Sequence, residues 1–151
     1  MDDSEFMNPD ATALCDELSQ VRVVAVVGLS PNPDRPSYRI ARALQTRGFR
    51  IVPVRPLVTE VLGERAYGKL ADVPFPVDLV NVFRSADAVD GIVDDCIATD
   101  TRRLWIQEGI VNVPAARRAV AQGIWTVMDR CVWRDLKNLC AERTPHQEVP
   151  A

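Results

Sequence analysis

The chain has 151 residues, 47% of them hydrophobic and 26% charged, the composition of one ordinary globular domain with enough apolar material for its own core. Eighteen Lys and Arg against twenty-one Asp and Glu leave a formal charge of −3, which argues against nucleic acid or an anionic membrane surface as a partner and requires any anion site to be local. No run approaches the ~18 apolar residues of a membrane span, and the start Met1-Asp2-Asp3-Ser4-Glu5 is acidic where a secretory leader is basic, so a cytoplasmic location is expected.

Residues 1–9 read as a flexible N-terminus, 10–140 as a single domain and 141–151 as a flexible tail. Asp10 is a candidate cap for a short helix with Ala11, Leu14 and Leu18 on one face. The compact β-branched run Val23-Val24-Ala25-Val26-Val27, ended by Gly28, predicts a first strand buried on both faces. After the turn Ser30-Pro31-Asn32-Pro33-Asp34-Arg35, Pro36 suits a first helical turn, and Ile40, Ala41 and Leu44 carry an apolar stripe as far as Gly48. Phe49 to Val54 predicts a second strand, which completes a βαβ unit. From Arg55 to Val77 the pattern is weak, so a long loop is expected with at most one short helix near Lys69-Val73.

Leu79-Val80-Asn81-Val82-Phe83 predicts a third strand, and Ser85 a cap for a helix carrying Val89, Ile92, Val93, Cys96 and Ile97. Leu104-Trp105-Ile106 forms a fourth strand, Asn112 and Pro114 open a helix that Gly123 ends, Ile124 to Met128 form a fifth strand, and Val132 to Cys140 a closing helix. Strict alternation of this kind predicts an α/β fold, a Rossmann-like open parallel sheet of about five strands in the order 3-2-1-4-5 with helices on both faces. Ligands of such sheets sit beyond the carboxyl ends of the strands, where strand order reverses.

The loops at those ends carry the functional signal. Gly28-Leu29-Ser30-Pro31-Asn32-Pro33 keeps the first glycine of a G-x-G-x-x-G fingerprint but places Ser and Pro at the other two, which disfavours a standard NAD site. The helix behind it still offers N–H groups and a positive dipole end, and Ser30, Arg35 and Ser37 add donors for a pyrophosphate; a capped turn with a solvated arginine accounts for the same residues. After the second strand comes Pro53-Val54-Arg55-Pro56, with arginine where an acidic ribose ligand is usual. A guanidinium there suits a ribose phosphate, as in NADP or coenzyme A (CoA), or simply an exposed turn. Phe83 and Arg84 offer an aromatic wall with a cation, and Gln107-Glu108-Gly109 a side-chain amide with a glycine for close approach, fit for an amide-bearing pantetheine or for ordinary core and capping roles.

The four cysteines, Cys15, Cys96, Cys131 and Cys140, are too scattered for ligand pairs and too few for a disulfide framework, so they read as reduced. Cys131 follows Arg130, a cation able to activate a thiol, although a buried inert cysteine is the commoner outcome. The one histidine, His146, lies in a polar tail, which argues against a histidine-dependent triad or a zinc site, and no general base stands at the strand ends.

Taken together, Val27-Gly28-Leu29-Ser30, Arg35-Pro36-Ser37-Tyr38, Pro53-Val54-Arg55-Pro56, Val61-Leu62-Gly63-Glu64, Val82-Phe83-Arg84 and Val127-Met128-Asp129-Arg130-Cys131 resemble, in order and spacing, the small stand-alone CoA-binding proteins of bacteria. That family is related to the CoA-binding domain of succinyl-CoA synthetase alpha subunits, and the resemblance spans about Leu14 to Leu139. It implies a diphosphate near Gly28, Leu29, Ser30, Arg35, Pro36, Ser37 and Tyr38, and an adenosine end near Pro53, Val54 and Arg55. Pantetheine would run past Phe83 and Arg84 toward Gln107 and Gly109. Two departures stand out: Pro-Val-Arg-Pro replaces the family's Pro-Val-Asn-Pro, and Thr99-Asp100-Thr101-Arg102-Arg103 replaces a glycine-containing turn. The ligases' phosphorylated histidine has no counterpart here, so the resemblance implies binding of CoA or acyl-CoA without ligation. An NADP-linked oxidoreductase subunit is the alternative, a mixed disulfide between Cys131 and the CoA thiol a third possibility, and a protein partner or self-association stays open.

Overall fold

Each apolar run of the sequence becomes a strand or the inner face of a helix in the computed structural model, which describes residues 6–140. The expected tail with His146, and the first five residues, lie outside the described residues. Helix α1 (Ala11–Leu18) is capped by Asp10, whose carboxylate accepts from the Ala13 N–H at 2.9 Å. Strand β1 (Val23–Val27), helix α2 (Pro36–Thr46) and strand β2 (Arg50–Val54) form the expected βαβ unit.

The weakly patterned segment that follows holds more structure than expected. Two-residue strands β3 (Glu60–Val61) and β4 (Glu64–Arg65) pair antiparallel around Leu62 and Gly63. Both turn residues have positive φ, 56° and 77°, as a tight hairpin of this twist requires. Tyr67 bridges to Val54 at the end of β2, and a 3-10 turn at Leu70–Asp72 supplies the short helix.

Strand β5 (Leu79–Val82) leads through a 3-10 turn at Ala86–Ala88 into helix α3 (Val89–Ala98). Ser85 does not cap this helix with its side chain: its hydroxyl donates to the Asp87 carboxylate at 2.6 Å, a charged acceptor that outcompetes the capping role. Strand β6 (Arg103–Gln107), helix α4 (Val113–Ala121), strand β7 (Trp125–Arg130) and helix α5 (Val132–Cys140) complete the chain. Asn112 caps α4 by accepting from the Ala115 N–H at 3.1 Å.

The five long strands form one parallel sheet in the order β2-β1-β5-β6-β7. The third long strand therefore lies beside the first, giving 2-1-3-4-5 in place of the expected 3-2-1-4-5. Two residues explain it. Pro53 has no N–H for a second ladder, which confines β2 to a sheet edge. Asp78 then pins the start of β5 to that of β1: its carboxylate accepts from the Arg22 and Val23 N–H groups at 3.0 and 2.9 Å, and its own N–H donates to the Val23 carbonyl at 2.9 Å. The reversal of strand order moves accordingly to the crevice between β1 and β5.

Side chains from α1, α2 and α5 cover one face of the sheet around Leu14, Leu18, Leu44, Trp105 and Leu136, while α3 and α4 cover the other around Ala25, Val80, Val93, Leu104 and Ala116. Cys15 of α1 and Cys140 of α5 meet on the first face with Cα atoms 5.4 Å apart and form a disulfide, against the expectation of reduced thiols. A separation of 125 residues carries no sign of this pairing; only the packing of α1 on α5 creates it. Cys96 and Cys131 are free and buried, and burial pushes the Cys96 thiol up to about 12. Among the described residues no helix is long and apolar enough to cross a membrane, and no group of three or more His, Cys, Asp or Glu is placed to hold a metal ion.

Candidate functional site

The β1–β5 crevice opens into a cleft of about 780 Å³ at the carboxyl end of the sheet. Its back is the β1–α2 turn. Gly28 has φ +90°, its N–H donates to the Val54 carbonyl at 2.9 Å, and the Phe83 N–H donates to the Val27 carbonyl at 2.8 Å, so β1, β2 and β5 converge on this residue. A Cβ here would lie 2.5 Å from the Phe83 carbonyl oxygen and 2.8 Å from Arg84 Cδ; only glycine fits both the dihedral and the approach.

The turn is self-bracing. The Ser37 hydroxyl accepts from the Ser30 N–H at 3.0 Å, and the Ser30 hydroxyl accepts from the Asn32 N–H at 3.0 Å. Both serines are buried and line the cleft with Arg35 and Pro36 at the start of α2. Pro36 supplies a first-turn residue without an N–H to satisfy, and Arg35 at the cap position makes no side-chain capping bond.

Opposite this turn stand Arg55 and Arg84. The Arg55 Nη1 reaches the Gly28 carbonyl at 3.4 Å, a long contact that leaves most of its donors free, and the stem of Arg84 crosses over Gly28. Among the described residues, none of Arg35, Arg55 and Arg84 has a carboxylate within ion-pair distance. The one acid among the described residues lining the cleft, Glu108, is engaged by Arg134 at 2.7 Å, which holds its carboxyl below the ordinary range. The result is a local cationic concavity in a chain of net negative charge.

The far wall is amide-bearing. Gln107 is buried, and its Oε1 accepts from Asn81 Nδ2 at 3.2 Å and from the Val132 N–H at 3.5 Å. Gly109 turns the chain at φ +87°, and its N–H donates to the Asp129 carboxylate at 2.8 Å.

The cleft thus gathers Gly28, Ser30, Arg35, Pro36, Ser37, Arg55, Phe83, Arg84 and Gln107. The other expected residues are placed differently. Leu29 is wholly buried in the core, and Tyr38 packs against the same core from α2. The Pro53 carbonyl and the Arg55 N–H bond to Tyr67 on either side of Val54, its bridge partner, and Val54 lines a separate pocket of about 110 Å³ that Arg84 also borders. Gly109 lies beside Glu108 and Ile110, which do line the cleft. Ile40 and Ile110 were not legible as lining residues: each is an apolar position that a helix stripe or a capping turn explains equally well. The remaining thiol at this end, Cys131, is buried, and its carbonyl accepts from the Asp135 N–H at 3.0 Å at the head of α5.

Comparison with known proteins adds a family to this geometry. YneT of Bacillus subtilis, described as uncharacterized, is 36% identical over 127 residues, covering 84% of this chain and 94% of that protein. A solved structure from Thermus thermophilus is 32% identical with a TM-score of 0.83, covering 87% of this chain and 99% of its own. The ADP-forming acetate–CoA ligase II of Archaeoglobus fulgidus is 29% identical over 82 residues, which span 53% of this chain and only 12% of the ligase. The family model for the CoA binding domain matches residues 22–137, from the start of β1 into α5. This chain belongs to the CoA binding domain family.

Proposed function

We propose that the chain binds CoA or an acyl-CoA in the β1–β5 cleft and acts as a carrier, sensor or regulatory module without catalysing a reaction itself. The observation that carries this reading is the set of three arginines, Arg35, Arg55 and Arg84, gathered around a glycine turn with no carboxylate among the described residues to neutralise them. The α2 N-terminus and the Ser30 and Ser37 hydroxyls suit the diphosphate. Arg55, at the end of β2, suits the ribose 3′-phosphate, by charge-assisted hydrogen bonds that favour a phosphate over a hydroxyl. The pantetheine arm then follows Phe83 and Arg84 toward Gln107, with Gly109 beside its end. A cytoplasmic location is part of the same proposal.

Arg55 also fits the 2′-phosphate of NADP, and the two readings separate in one calorimetric experiment. Titrations with CoA, dephospho-CoA and NADP are expected to give saturable binding with CoA, weaker binding with dephospho-CoA and the weakest with NADP. Clear NADP binding without a response to CoA would sink the CoA reading.

A further inference from the structure

Strand β5 carries one polar residue in an otherwise aliphatic, wholly buried run. Its four positions, Leu79, Val80, Asn81 and Val82, are all buried, and Asn81 is 0% exposed among aliphatic neighbours. Its Nδ2 donates to the Trp105 carbonyl and to Gln107 Oε1, each at 3.2 Å, while its Oδ1 has no partner among the described residues. The two acceptors fix the orientation of this amide, since the flipped form would set oxygen against oxygen twice. An unpartnered buried acceptor costs about 1–3 kcal/mol, which offsets much of what the two Nδ2 hydrogen bonds contribute, so an aliphatic side chain here would serve stability about as well.

The cost has a visible return at the cleft. Asn81 lies on the same face of β5 as Phe83, beneath Phe83 and Gln107, which both line the cleft. Asn81 Nδ2 and the Val132 N–H both address Gln107 Oε1, so the oxygen of that amide is committed inward. Among the described residues its Nε2 has no partner, and Gln107 lines the cleft. We infer that Asn81 is a positioning residue that sets the polarity of Gln107, making the cleft wall a hydrogen-bond donor for a carbonyl oxygen on the pantetheine arm or its acyl group. The inference rests on the CoA reading and adds the specificity for an amide or thioester carbonyl.

The test compares CoA with 3′-phosphoadenosine 5′-diphosphate, which keeps the phosphates and lacks the pantetheine arm, on the wild type and on Asn81→Leu. The variant is expected to melt no lower than wild type, to lose about five- to tenfold in CoA affinity, the value of one neutral hydrogen bond, and to keep its affinity for the truncated nucleotide. In the wild type, the Gln107 side-chain amide resonances should shift with CoA and stay in place with the truncated ligand, a readout that stands even where the variant fails to fold. Equal losses for both ligands, no loss for either, or Gln107 resonances indifferent to the pantetheine arm would overturn the inference alone. A wild type that binds neither ligand overturns the CoA reading, and the inference with it.

Discussion

The two ends of the same parallel sheet treat charge in opposite ways. At the amino end a cleft of about 550 Å³ is lined by Glu17, Asp100, Arg102 and Arg103, two acids against two arginines. There the Arg103 Nε meets the Glu17 carboxylate at 2.7 Å and its Nη1 donates to the Asp78 carbonyl at 3.1 Å, so the guanidinium braces α1 against the sheet. At the carboxyl end, among the described residues, three arginines face a single carboxylate that Arg134 already holds. A cavity by itself therefore says little. What distinguishes the candidate site is cations left without carboxylate partners among the described residues, around a turn that only glycine can make.

This contrast can be broken at either end. The Cys15–Cys140 bond fastens α1 to α5, and its removal by reduction or by Cys15→Ser is expected to lower stability by up to about 4 kcal/mol. Thermal unfolding would show it, and CoA affinity should be unchanged at temperatures where the variant stays folded. Gly28→Ala puts a methyl group 2.5 Å from the Phe83 carbonyl at φ +90°, and about 2 kcal/mol of strain together with at least tenfold weaker CoA binding is expected by unfolding and calorimetry.

Arg55→Ala should weaken CoA by about 10- to 100-fold and dephospho-CoA far less, since only the former presents the extra phosphate. Equal losses would remove Arg55 from that role. Glu17→Gln, at the opposite end, should cost under about 1 kcal/mol, as this carboxylate is partly exposed, and leave CoA binding intact. The smallest effect concerns Glu108. Because Arg134 depresses its pKa, the pair's contribution is present above the ordinary carboxylate range and is lost only as the pH falls through the lowered value. Arg134→Ala should move the Glu108 midpoint, followed by NMR, upward toward the ordinary range.

Periodicity and caps made most of the architecture legible, because Asp10 and Asn112 start helices by local hydrogen bonds and Pro36 by its fixed φ and missing N–H, none of which tertiary context overrides. The strand order differs from the expected one although the sequence carries its signal: Pro53 in the second strand marks an edge, and a polar Asp78 just ahead of an apolar run marks a pinned strand start. The hairpin at residues 60–65 escaped because its strands are only two residues long, too short for any period. In the site, Gly28, Arg55 and Gln107 were readable from their place at strand ends. Asn81 was readable in principle as a polar residue inside an apolar strand, but its consequence needs the β5–β6 register that sets it beside Gln107. The Cys15–Cys140 pairing had no sequence signal at all.

The most direct measurement is a crystal structure of the protein with CoA bound. The account predicts density in the carboxyl-end cleft, with the diphosphate against the Gly28 turn and the start of α2, the 3′-phosphate on Arg55 and the pantetheine arm reaching Gln107. Density in the amino-end cleft beside Arg103, or a carboxyl-end cleft left vacant under saturating CoA, would contradict it.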